Sequence, residues 1–107
     1  MAAMNINKKQ FQEMLQGDMP LVVDYWAPWC GYCRRIALAY EKIAENYSDK
    51  LIVAKADIDE EPMLAEQEQI EVIPTLVLYK NGHAVDSIVA PESKAMIEEF
   101  IKQALEK

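Results

Sequence analysis

Apolar residues recur along this chain in two alternating rhythms. Phe11, Met14 and Leu15 share one helical face behind Asn7 and Gln10, which are placed as a capping box, and Gly17 stands where that helix would end. Leu21-Val22-Val23-Asp24-Tyr25-Trp26 is a continuous apolar run broken by one acid, the pattern of a strand buried on both faces. After Pro28, the residues Ile36, Ala37, Tyr40, Ile43, Ala44 and Tyr47 fall on a single helical stripe, and Leu51 to Asp57 reads as a second strand. Strand, helix and strand at this spacing predict a βαβ unit with parallel strands and a right-handed crossover. Asp59-Glu60-Glu61-Pro62 sets acids and a proline where a short helix begins, so this charge run reads as a solvated start signal.

The rhythm changes in the second half. Thr75 to Lys80, then Asn81-Gly82, then His83 to Val89 predict a β-hairpin with a two-residue type I′ turn. Met96, Ile97, Phe100, Ile101, Ala104 and Leu105 predict a closing amphipathic helix. Together these elements make a mixed central β-sheet flanked by helices, a three-layer α/β domain. The 107 residues fit one domain over 1–107, long enough to bury a core without metals or several disulfides. No repeat, low-complexity segment or linker interrupts the pattern.

Composition narrows the class of function. A hydrophobic share of 51% with 27% charged residues argues against disorder. The formal net charge of −7 disfavours nucleic acid and anionic membranes as partners, and its plain use is solubility. The start, Met1 to Lys9, lacks a basic segment followed by an apolar run, and no apolar stretch nears the roughly 20 residues of a spanning helix. A cytoplasmic location away from membranes is the expectation.

Two cysteines are too few for a disulfide framework, which turns attention to their spacing. Cys30 and Cys33 lie two residues apart at the start of a helix that follows a buried strand. The thiolate is the nucleophile in disulfide exchange, and a helix N-terminus stabilises it through unpaired N–H groups and a positive dipole end. Cys30, toward the exposed end, is the expected attacker of a substrate disulfide. Cys33, one turn on, is placed to resolve the mixed disulfide without diffusion. A structural zinc site needs four ligands, and the chain offers only this pair and His83, an ordinary turn-side residue, so no metal is expected. A purely structural disulfide closing so short a loop would stabilise little.

At this point a family resemblance enters. Asp24-Tyr25-Trp26-Ala27-Pro28-Trp29-Cys30-Gly31-Tyr32-Cys33 resembles the active-site segment of the thioredoxin family. Ile73-Pro74-Thr75 before an apolar strand, Lys80-Asn81-Gly82 and the closing helix resemble the rest of that domain, so the likeness covers nearly the whole chain. It implies the thioredoxin fold and a thiol–disulfide oxidoreductase, a protein-disulfide reductase and electron carrier with no cofactor beyond a redox-active Cys30–Cys33 disulfide. It also implies protein disulfides as substrates, a flavin-dependent thioredoxin reductase as partner, and a role in cell redox homeostasis. A monomer is the default state.

The resemblance assigns roles to individual residues. Asp24 matches the family's buried acid, which manages the proton of the resolving cysteine; burial should raise its pKa, unless backbone donors satisfy it. Lys55 matches the lysine beside that acid, where paired inward charges lower each other's cost, although a strand lysine can also snorkel to solvent. Pro74 matches the family's cis-proline facing the cysteines and leaves the backbone of Ile73 free to pair with an extended substrate. Trp29, Gly31, Tyr32 and Ala90 complete the implied substrate surface, and Trp26 reads as support for the active-site loop or plain core.

Several residues depart from the family pattern. Tyr32 replaces a proline and restores an N–H, which is expected to stabilise the Cys30 thiolate and give a less reducing potential. Leu38 replaces a helix proline, which predicts a straighter helix. Ala90 replaces a glycine in the substrate groove, Val72 replaces one ahead of Ile73-Pro74, and Arg34 keeps a positive charge after the second cysteine. A disulfide isomerase or oxidase, favoured by Tyr32, and a binding module with incidental cysteines are the competing functions.

Overall fold

In the computed structural model, which describes residues 3–107, the predicted rhythms become β1 (Met4–Asn5), α1 (Lys8–Leu15), β2 (Leu21–Trp26), α2 (Gly31–Asn46), β3 (Ile52–Asp57), α3 (Pro62–Gln67), β4 (Thr75–Lys80), β5 (His83–Val89) and α4 (Lys94–Leu105). Met1 and Ala2, the first two residues of the domain expected over 1–107, lie outside the described residues. The sheet order is β1-β3-β2-β4-β5, with β3 parallel to β1 and β2, and β4 antiparallel to β2 and β5.

Local chemistry sets the boundaries. The Asn7 side chain accepts the Gln10 N–H at 2.8 Å and the Gln10 side chain accepts the Asn7 N–H at 2.9 Å, the expected capping box. Pro62 stands at the first turn of α3, where its missing N–H costs nothing. Asn81 and Gly82 have φ of 54° and 86°, both left-handed as a type I′ turn demands. Gly17 follows α1 without adopting a left-handed conformation, because its N–H simply bonds back to Met14 at 3.2 Å. The expected apolar stripe on α4 is narrower than predicted, since Met96 stays 43% exposed.

Alternation along the central strands sorts two cores. Leu21, Val23 and Tyr25 of β2, with Val77 and Tyr79 of β4, pack with Phe11 and Leu64 on the α1/α3 face. Val22, Leu76 and Leu78 pack with Ile36, Tyr40, Ile97 and Phe100 on the α2/α4 face. The period-2 rule therefore aims Asp24 at the second face, beneath α2. On the first face the core is not wholly apolar. The Tyr25 and Tyr79 hydroxyls are paired at 2.7 Å, and Tyr79 donates to Glu68 at 2.9 Å.

Candidate active site

The site forms where β2 hands over to α2. Cys30 is the N-cap of α2, with its Sγ accepting the Cys33 N–H at 3.1 Å. The two cysteines are joined as a disulfide, with Cα atoms 5.3 Å apart. Cys30 is 7% exposed and Cys33 3%, so the first presents the more accessible sulfur. Both pack with Ala27, and Trp26, Tyr32, Ile58 and Ile73 close around them.

Asp24 lies under the pair, 2% exposed, with Oδ1 fully buried and unpaired among the described residues. Backbone donors are therefore not the answer to its burial. Desolvation pushes its pKa up to about 7, against the opposing field of Lys55. A cavity of about 50 Å³ bounded by Asp24, Cys33, Trp26, Arg34, Ala37 and Lys55 connects the acid to the second cysteine. That volume admits a water molecule.

Lys55 is the register partner of Asp24 across β2 and β3. Its ammonium nevertheless approaches Glu41 at 3.8 Å and lies 4.9 Å from the Trp26 ring centroid, so it acts on Asp24 as a nearby charge and makes no ion pair with it. Glu41 is a residue that sequence reasoning missed. It lies on α2 eight residues beyond Cys33, and only the tertiary fold brings it to the lysine. Asp59 is a second such residue. Its place in the chain reads as a helix start signal, yet it accepts the Trp29 indole N–H at 2.8 Å. That bond orients an indole which is otherwise 65% exposed beside Cys30. Trp26, half-buried, donates its indole N–H to Asn5 at 3.0 Å and serves the loop from behind.

Opposite the cysteines, the Ile73–Pro74 peptide is cis. Thr75 Oγ1 donates to the Val72 carbonyl at 2.6 Å and the Ala90 N–H donates to the Pro74 carbonyl at 2.9 Å, which ties the segment to β4 and to the end of β5. The N–H and C=O of Ile73 take no hydrogen bond among the described residues. Gly31 is exposed at the first position of α2, where a Cβ would meet only the Arg34 guanidinium, at 3.8 Å.

The expectation for Tyr32 concerns the Cys30 thiolate, and this structure holds the disulfide. Here the Tyr32 N–H makes no hydrogen bond to the Cys30 sulfur, whose donor is the N–H of Cys33, a group present with or without proline at position 32. Tyr32 instead packs against both the cysteine cluster and the α2/α4 core, with the Arg35 guanidinium 5.3 Å from its ring centroid. Of the two helix N–H groups an N-cap side chain can reach, those of the second and third residues, the Cys30 sulfur takes that of Cys33.

Ala90 occupies the left-handed region at φ 48°. A Cβ there costs roughly 1 kcal/mol, partly offset by the lower chain entropy of alanine when unfolded. Ala90→Gly is thus expected to stabilise the fold by about 0.5 kcal/mol, read as a higher urea midpoint at unchanged slope. A lower midpoint would show that the strain is not there.

A buried disulfide capping a helix, over a buried acid and facing a cis-proline, defines a thiol–disulfide oxidoreductase; among the described residues no cluster of three His, Cys, Asp or Glu offers a metal site. The thioredoxin family model matches residues 2–103. The chain is 40% identical over 105 residues to the thioredoxin of Alicyclobacillus acidocaldarius, covering 98% of this chain and 100% of that one. It is likewise 40% identical over 105 residues to thioredoxin 1 of a Nostoc species, covering 97% and 98%. The solved structure of Plasmodium falciparum thioredoxin superposes with a TM-score of 0.85 at 31% identity, covering 94% of this chain and 97% of that one. The chain belongs to the thioredoxin family. It has the thioredoxin fold and is an enzyme, a protein-disulfide reductase as its relatives are.

Proposed function

We propose that this protein is a monomeric electron carrier of the cytoplasm that reduces protein disulfides and is itself re-reduced by a thioredoxin reductase. The observation that carries this reading is the unpaired carboxylate of Asp24 sharing a cavity with Cys33 beneath the more accessible Cys30. In the reduced protein the Cys30 thiolate attacks a substrate disulfide, forming a mixed disulfide and expelling one substrate thiolate. Cys33 then loses its proton to Asp24, directly or through one water, and its thiolate attacks the Cys30 sulfur. The second substrate thiolate leaves, two electrons have passed to the substrate, and the chain holds the Cys30–Cys33 disulfide.

The remaining residues position these steps. Lys55 holds the pKa of Asp24 from rising further, which keeps the acid near the operating pH where proton transfer is most effective. The free N–H and C=O of Ile73, aligned by cis-Pro74, pair with an extended substrate strand. Trp29, Gly31, Tyr32 and Ala90 form the surface against which that strand rests. The net charge of −7 supports partners other than nucleic acid or anionic membrane.

The test is insulin reduction by dithiothreitol with and without the protein. Catalytic amounts should bring precipitation of the insulin B chain forward severalfold. No acceleration would leave the disulfide without this role.

A further inference from the structure

Past Pro74 the surface opens into a second feature. The segment Glu68–Val72 and one face of β5 stand apart, and between them runs a groove of about 470 Å³. Val72, Val77 and Val89 supply its apolar floor, while Glu68, Glu71 and Asp86 stand along it. Val72 and Val89 are 53% and 52% exposed, unusual for valines unless something covers them.

This groove is continuous with the cysteine site. Val72 and Thr75 bracket Ile73-Pro74, Ile73 packs on the cysteines, and Val89 precedes the Ala90 that bonds to the Pro74 carbonyl. A polypeptide paired with the Ile73 backbone therefore continues into it.

Its charge is one-sided, because no lysine or arginine among the described residues lines it. Asp86 is paired with Lys107 at 2.9 Å. Glu68 accepts only from neutral groups, the Tyr79 hydroxyl at 2.9 Å and the Gln67 amide at 2.9 Å, so its charge is uncompensated. Glu71 is exposed and makes no side-chain hydrogen bond or ion pair among the described residues. An apolar floor beneath two uncompensated carboxylates matches a side chain with an aliphatic stem and a cationic head.

We propose that this groove is a docking site for the cationic flank of protein-disulfide substrates, a segment carrying lysine or arginine next to the target cysteine. The inference rests on the exchange reading of Cys30 and Ile73-Pro74 given above, and the experiment separates the two. Three symmetrical peptide disulfides, identical except for a three-residue flank of lysine, serine or glutamate, are reduced with dithiothreitol as electron source. Bis(2-hydroxyethyl) disulfide, neutral and too small to reach the groove, reports the exchange chemistry alone.

At low ionic strength kcat/KM should favour the lysine flank over the glutamate flank roughly tenfold. The preference should fade in 1 M salt. It should collapse in the E68Q/E71Q double variant, where the new amide oxygen can still accept from the Tyr79 hydroxyl, and reverse in E68Q/E71K, while the small disulfide is turned over equally by all. Equal rates on the three peptides, or a preference that survives in E68Q/E71Q, would overturn the docking site with the exchange chemistry intact. Failure on the small disulfide as well would remove the exchange reading and the groove with it.

Discussion

Cys33→Ser is expected to stall the reaction halfway and accumulate a covalent complex between Cys30 and a substrate cysteine. Cys30→Ser should give neither turnover nor complex. The asymmetry follows from position. Cys30 caps α2 with the more accessible sulfur beside an exposed indole, whereas Cys33 lies a turn deeper at 3% exposure, screened from any bulky disulfide. The resolving step is intramolecular across a Cα separation of 5.3 Å. Well-oriented intramolecular reactions reach effective molarities on the order of 10⁵ M or more, so millimolar external thiol is a poor substitute and turnover should fall by about 10³-fold or further. Non-reducing electrophoresis with mass spectrometry of the trapped species checks the assignment. Complexes forming through Cys33 in Cys30→Ser would reverse the two roles.

Much of this arrangement is legible in the chain because period and punctuation carry it. The capping box at Asn7, Pro62 at the start of α3 and Asn81-Gly82 at the hairpin are local chemistry, and the elements they bound match the predicted ones. What the pattern could not reveal lacks a local signal. β1 spans only Met4–Asn5, too short for any alternation, yet it pairs with β3 and covers part of that strand's edge with a very short one. Gln69 and Ala90 take positive φ with no glycine to announce it. Tyr25 and Tyr79 read as core apolar residues, and only the sheet register sets their hydroxyls 2.7 Å apart.

The candidate site shows the same division. Cys30, Cys33, Asp24 and Pro74 stand out because motif and strand pattern place them, and burial raises Asp24 as that pattern implies. Glu41 and Asp59 escape because each acts on a residue distant in sequence, Lys55 and Trp29. At Tyr32 the N-cap contact of the disulfide form falls on the N–H of Cys33, whereas the expected contact of the Tyr32 N–H belongs to the reduced thiolate.

Asp24→Asn is expected to raise stability steeply at alkaline pH and very little at pH 4. An unfolded aspartate titrates near 3.8 and the folded one near 7. Below 3.8 both states hold the proton, so the group contributes no difference there. Between the two values the folded state binds more protons than the unfolded, and stability falls by about 1.4 kcal/mol per pH unit. Above 7 both are ionised, and the accumulated loss is on the order of 4 kcal/mol, an upper figure for so buried a carboxylate. An asparagine removes this slope; whatever its own unpaired amide costs is the same at every pH, so the slope is the clean readout. Lys55→Met provides the converse: without the opposing charge the folded pKa climbs, and the loss extends to higher pH. Denaturant melts from pH 4 to 9 measure both, and an unchanged slope in Asp24→Asn would place the titration of Asp24 near 3.8 after all. The same substitution should slow the resolving step by about 10²- to 10⁴-fold and remove the ionisation near 7 from the pH–rate profile, since Cys33 loses its proton acceptor. Stability and turnover then move in opposite directions at one residue, a pairing that a carboxylate retained for structure alone would not produce.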